Sequence, residues 1–308
     1  MGTPAFAVAS LEALLEAGED VIAVVTAPDK PAGRGQKLQQ SAVKQYAVSR
    51  GLLVLQPEKL RDPLFVENLR ALRADLQVVV AFRMLPEIVW NMPPLGTVNL
   101  HASLLPQYRG AAPINHAIIN GETESGVTTF LLQHEIDTGN ILLSEKVTIG
   151  PDDTAGDLHD RLMQIGARQL VRTVKALATG SVTPIEQKAL EAGAPLHHAP
   201  KIFKEDCRID WNRPVDTVYN QIRGLSPYPA AFTTLDGKFV KIIHASKTTE
   251  PPLHEPGTAI TDGTTFLKYA CQDGYIAVSE LQLEGRKKMG VSAFLRGYRP
   301  VSVTFISQ

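Results

Sequence analysis

Helix-like and strand-like spacings of apolar residues alternate along the first 180 positions of the chain. Phe6, Val8, Leu11, Leu14 and Leu15 recur at helical spacing and stop at Gly18, and the apolar run 21–26 that follows predicts a buried strand. The cycle repeats. A helix is expected over 41–50, closed by Gly51, and a short strand over 52–55. Asp62 and Pro63 open a third helix as N-cap and first-turn proline, ahead of the near-continuous apolar strand 76–82. Another apolar run, 95–100, precedes a helix begun by Pro113 and ended by Gly121. Runs 127–133 and 139–147 predict a hairpin-like edge. Thr154 and Asp157 then start a long helix with apolar positions 158, 162, 165, 170, 174 and 177. Alternation of this kind implies an α/β domain with a doubly wound, mostly parallel sheet.

The pattern changes after residue 183. Residues 184–203 lose periodicity and collect Pro184, Gly193, Pro195 and Pro200, which suits a linker. Beyond it, short alternating runs at 231–235, 239–243, 274–278 and 302–306 are broken by Asp-Gly turns at 236, 262 and 273. These predict a small all-β module over 204–308, a β-barrel of OB-like type. One feature conflicts with the scheme: the chain begins Met-Gly-Thr-Pro, with no apolar strand ahead of its first helix. A doubly wound sheet ordinarily begins with a central strand. The expectation is that Met1 is internal to a longer natural chain. The neighbouring strands would then face a gap of unpaired backbone groups, and these 308 residues should fold poorly.

Candidate chemistry concentrates between 99 and 114. Asn99 and His101 stand two apart at the end of an apolar run, so on a strand their side chains leave the same face, outside the carboxyl end where such sheets bind ligands. An amide N–H can hold a developing oxyanion and an imidazole can move a proton, the pair that acyl transfer requires. Asp137, in a turn before Gly139, could aim a carboxylate at the same mouth and steer the imidazole. Ser103, Leu104, Leu105 and Pro106 read as an exposed apolar loop that a flat heteroaromatic ligand would cover.

Composition narrows the partners. Lys plus Arg (31) nearly balances Asp plus Glu (32), so the chain is no general polycation, and nucleic-acid contact must come from local patches. Residues 28–50 hold five cations against the single acid Asp29, with Arg34 and Lys37 in a Pro/Gly-rich stretch suited to gripping phosphates. Lys201 with Lys204, and Arg286, Lys287 and Lys288, add two further patches. Cys207 and Cys271 show neither metal spacing nor disulfide density, no run approaches a membrane span, and no leader precedes the first helix, which together predict a cytoplasmic protein.

The segments Gly2-Thr-Pro4, Pro31-Ala-Gly-Arg-Gly35, Asn99 through Pro106, Tyr108-Arg-Gly-Ala-Ala-Pro-Ile114, Asp137-Thr-Gly139 and Arg208-Ile-Asp-Trp211 together resemble the methionyl-tRNA formyltransferase family over essentially the whole chain. The resemblance implies transfer of a formyl group from 10-formyltetrahydrofolate to the α-amine of initiator methionyl-tRNA by a monomer that needs no metal. It implies Asn99, His101 and Asp137 as catalytic and Ser103 to Pro106 as folate contacts. It makes 1–183 the formyl-transfer domain and 204–308 the tRNA-binding one, and has Arg34 meet the acceptor stem. Arg83 departs from the family pattern, in which Gly often stands after the aromatic residue. A sugar-nucleotide or glycinamide-ribotide formyltransferase would share the three catalytic residues, but the basic stretch and β module argue against it. A nicotinamide-dependent oxidoreductase lacks its Gly-x-Gly-x-x-Gly after a strand. A non-catalytic RNA-binding protein would not need the intact Asn, His and Asp.

Overall fold

A computed structural model describes residues 1–32, 37–191, 193 and 195–305. The chain forms two compact units, Met1–Gly110 with Ser125–Val147 and Asp160–His198, and Ala111–Glu124 with Thr148–His159 and Ala199–Gln308.

In the first unit the predicted alternation forms, with shorter strands. Val24–Val25 pairs in parallel with Val54–Leu55. Gln77–Val80 pairs in parallel with Thr97–His101, whose other edge carries Glu124–Leu131 antiparallel, with Ile141–Thr148 beyond. Local chemistry sets the helix starts. The Ser41 hydroxyl accepts from Lys44 N–H ahead of Ala42–Ser49, and the Asp62 carboxylate accepts from Phe65 N–H ahead of Pro63–Ala71. At the long helix Ala155–Ala178, Thr154 N–H and Oγ1 donate to Asp157, whose own N–H donates back to Thr154 Oγ1. This reciprocal cap launches a helix that buries Leu162 and Leu170 completely, each stabilising the unit by roughly 1.5–3 kcal/mol. Its face lies close to the site: a Cβ on Gly166 would come within 2.9 Å of Leu100, and Gln169 donates to the carbonyls of Val127 and Leu143.

Met1 and Gly2 occupy the place of the central strand. Met1 N–H donates to Val78 O at 2.6 Å, Val80 N–H to Met1 O at 2.9 Å, and Gly2 N–H to Val25 O at 3.0 Å, so two residues bridge both halves of the sheet at its carboxyl end. Only glycine fits there, because a Cβ on Gly2 would lie 2.4 Å from that of Ala7. The gap predicted from the sequence is thus closed at one end. Beyond it, a cavity of about 850 Å³ runs between the strands, lined by Leu11, Leu14, Val24, Val78 and Leu95 among others.

The second unit holds a curled seven-stranded sheet, with Ala231–Leu235, Lys238–Thr248, Tyr275–Leu283, Leu267–Ala270, Ala259–Thr261 and Thr304–Phe305 side by side in that order. It is not all-β as predicted. Helix Val215–Leu225 buries Val215, Val218, Tyr219, Ile222 and Leu225 in the core, and Val291–Gly297 adds Phe294 and Leu295. Trp211 stacks on Tyr269 with centroids 4.5 Å apart, and the two predicted thiols, Cys207 and Cys271, are free and buried.

Asp236 ties the end of the chain to this sheet. Burial opposes its ionisation, but the Ser302 hydroxyl and N–H, the Tyr298 hydroxyl and Val301 N–H all donate to it and hold the carboxyl down at about 2, from an ordinary 3.8. A carboxyl depressed by folding stabilises above its unfolded value and ceases to as pH falls through the folded one. Asp236→Asn is therefore expected to melt below wild type at neutral pH. The difference in melting temperature should shrink as scans move from about pH 4 to about pH 2.

Candidate active site

The strand Thr97–His101 places Asn99 and His101 on one face, as the two-residue spacing requires. Their cross-strand partners are Phe130 and Thr128, and the His101 ring meets Phe130 edge-on at 6.5 Å. The Asn99 side chain is half-buried, and among the described residues no protein group is hydrogen-bonded to its amide. His101 is buried. Its Nε2 lies 2.9 Å from the carbonyl of Tyr108, which can only accept, so Nε2 carries the proton and Nδ1 is left with the free lone pair. Nδ1 faces Asp137 Oδ2 at 3.9 Å, too long for a hydrogen bond but close enough for the carboxylate to stabilise a proton arriving there.

Two backbone strains hold this geometry. Tyr108 has φ +59°, a left-handed conformation costly for a bulky residue, and its N–H donates to His197 O at 2.6 Å while its hydroxyl bonds His197 Nδ1 at 3.2 Å. These ties overdetermine the position of the carbonyl that orients His101. Asp137 has φ +56°, and its Oδ2 accepts from Gly110 N–H at 3.0 Å. The turn closes on Gly139, where a Cβ would fall 1.6 Å from Leu131 O, so no other residue allows the backbone to pass.

The loop 103–106 is not the exposed apolar segment its composition suggests. Ser103, Leu105 and Pro106 are buried: Ser103 Oγ donates to Gln107 O, Leu105 N–H to Thr128 Oγ1, and Thr128 Oγ1 to Ser103 O. Leu105 packs with Phe130 and Ile141, and Leu104 lies where a side chain on Gly126 would be. The physical reason is that the adjacent hairpin supplies the apolar partners that a ligand was expected to supply. A groove of about 560 Å³ instead opens beside residues 84–90, lined by Met84, Leu85, Pro86, Trp90 and His134, with Lys59 and Arg61 at its edge. Arg83 donates to the carbonyls of Pro57 and Glu58.

Within 184–203, Ile185 pairs backbone to backbone with Ile141, and Gln187–Leu190 forms a 3-10 turn. Gln187, unmarked by any periodicity, is buried against the Asp137 turn: its Nε2 donates to the carbonyls of Asp137 and Gly139, both at 2.8 Å. Its Oε1 accepts from Arg109 Nε and Nη2 at 3.0 and 2.7 Å.

An amide with no partner among the described residues, a tautomer-fixed imidazole and a carboxylate close to it suit acyl transfer from a carbonyl donor. Comparison with known proteins agrees: residues 1–174 match the formyl transferase family and residues 201–299 the formyl transferase C-terminal domain. The chain belongs to the formyl transferase family. Among curated relatives of this formyl transferase, the methionyl-tRNA formyltransferase of Bacteroides thetaiotaomicron is 55% identical over 304 residues, 97% of this chain and 94% of that protein. That of Parabacteroides distasonis is 56% identical over 98% of this chain and 95% of its own length. A sugar 3N-formyl transferase, WlaRD, solved in the presence of dTDP and 5-N-formyl-THF, shares the fold at TM-score 0.65 and 20% identity over 93% of this chain and 97% of that one. HypX from Aquifex aeolicus, solved with tetrahydrofolic acid, gives 0.58 and 20% over 80% of this chain and 42% of its own.

The basic positions fall into distinct settings. Arg34 lies outside the described residues, and Lys37 starts the strand Lys37–Gln39. Lys44 pairs with Asp29 at 2.5 Å, and the bonds from Lys44 and Gln56 lower the Asp29 pKa, so that part of the predicted surplus is neutralised internally. In the second unit, Lys201 lies over Phe203 and Lys204 over Phe239, whose backbone is bonded to Glu284. Arg286, Lys287 and Lys288 lie in an exposed turn, and Lys288 pairs with Glu280 at 3.2 Å. No described helix is long and apolar enough to cross a membrane.

Proposed function

We infer that this chain transfers the formyl group of 10-formyltetrahydrofolate to the α-amino group of initiator methionyl-tRNA in the cytoplasm, for translation initiation. The observation that carries the reading is the meeting of Asn99, His101 and Asp137 at one strand end in a chain that resembles methionyl-tRNA formyltransferases over nearly its whole length. The folate co-substrate supplies a formyl carbonyl carried on a ring-linked nitrogen. The site fits such a group: Asn99 offers an amide donor bonded to no described protein group, and the groove beside Trp90 and Met84 offers an apolar slot for a flat heteroaromatic ring. Ser103 to Pro106 are assigned to the folate on the family resemblance.

The side chains divide the work. Asn99 donates to the carbonyl oxygen as negative charge gathers there during attack by the amine. His101 takes the proton released by the attacking amine on Nδ1, the nitrogen its bond to Tyr108 leaves free, and returns it to the departing nitrogen. Asp137 stabilises the imidazolium in between.

We assign Arg34, Lys37, Lys201, Lys204, Arg286, Lys287 and Lys288 to the tRNA. Arg34→Ala is expected to raise the tRNA KM and flatten its dependence on salt by roughly one counterion, while the folate KM stays put. Salt titrations of transfer rate test this, and an unaltered slope would remove Arg34 from the contact. The function itself is tested by folate-dependent label transfer to charged initiator tRNA, with a sugar nucleotide and glycinamide ribotide as competing acceptors. Preferential labelling of either small acceptor would overturn the reading.

A further inference from the structure

We propose that Gln187 is a positioning residue for the Asp137 carboxylate, a role that rests on the catalytic reading of Asp137. Its amide has only one satisfying orientation. Arg109 can only donate and the carbonyls of Asp137 and Gly139 can only accept, so Oε1 must face the guanidinium and Nε2 the turn. All four bonds are 3.0 Å or shorter, and the side chain is 3% exposed.

The amide thus fixes the two pieces of backbone that determine where the carboxylate points. One is the turn itself, where the left-handed Asp137 and the sterically locked Gly139 are both gripped by their carbonyls. The other is Arg109, whose successor Gly110 donates its N–H to Asp137 Oδ2. Glu191 also holds Arg109, accepting from the same Nη2 at 3.1 Å. With Oδ2 already 3.9 Å from His101 Nδ1, a further displacement of the turn weakens the field on the imidazole, and misplacement of a catalytic group by about 1 Å can cost about 10²-fold in rate.

Two variants separate positioning from folding. Gln187→Met keeps the buried volume and removes all four bonds. Gln187→Glu keeps the acceptor for Arg109, now as an ion pair, but presents an oxygen to the two turn carbonyls where a donor is required. Both should fold, with kcat in label transfer reduced about 10- to 100-fold and the KM values for folate and tRNA within about threefold of wild type. A kcat for Gln187→Glu near that of wild type would show that Gln187 serves Arg109 alone. Loss of melting temperature with intact kcat in both variants would reduce Gln187 to a structural prop. Either result overturns the proposal. If Asp137→Asn is itself active, the catalytic reading beneath the proposal fails; if Asp137→Asn is inactive while both Gln187 variants turn over normally, positioning alone fails.

Discussion

Asn99→Ala is expected to lower kcat about 10²- to 10³-fold, with little change in the KM for either substrate and none in the melting temperature. The size follows from timing. A hydrogen bond to a formyl oxygen exists before reaction and strengthens as that oxygen gains charge, so the amide binds the transition state more tightly than the ground state, and its removal appears in kcat. The absence of a stability effect follows from the fold: Asn99 sits half-exposed at a strand end, and its amide is bonded to no described protein group, so truncation leaves no buried partner unsatisfied. Steady-state rates of label transfer together with thermal melts measure both. A variant that turns over within a few-fold of wild type would assign the oxyanion to some other donor.

The three polar residues are legible in the sequence because strand geometry is simple. Asn99 and His101 are two apart, the pleat has a period of two, and an apolar run leading into a polar pair marks the strand's functional end. Asp137 announces itself through its turn, since Asp-Thr-Gly supplies both a left-handed carboxylate and a residue with no side chain where backbone passes backbone. Gln187 carries no comparable signal. It lies fifty residues from Asp137 in a stretch without periodicity, and its role depends on which way an aperiodic segment folds back. Isolated polar residues in such segments look alike until coordinates show their partners.

Elements missed in the second unit have a different cause. Helix Val215–Leu225 has its buried residues at helical spacing behind Pro214, so the signal was present, but the Asp-Gly turns that follow drew the whole region into a β pattern. The misjudged exposure of 103–106 has another. Composition reports that Leu104, Leu105 and Pro106 need cover, but not whether a ligand or the protein's own hairpin provides it. Non-local packing decides that question, and no window along the chain contains both partners.

Asp137→Asn is expected to cost about 10³- to 10⁴-fold in kcat with the fold intact, and it separates charge from shape more sharply than truncation can. Asparagine has nearly the same volume, tolerates the left-handed φ of +56° at least as well as aspartate, and can still accept from Gly110 N–H through its carbonyl oxygen. The turn should therefore form and the melting temperature should hold. What changes is the group facing His101. An amide whose oxygen is committed to Gly110 either turns its NH₂ toward Nδ1, occupying the lone pair that must take the proton, or presents a neutral dipole that does little for an imidazolium. Asp137→Ala, which removes the negative charge and the bond to Gly110 together, should be no worse than Asp137→Asn if charge is what matters. A kcat for the asparagine variant within tenfold of wild type, or a clear advantage of asparagine over alanine, would make the Gly110 bond the residue's main contribution and leave His101 to work without an anion beside it.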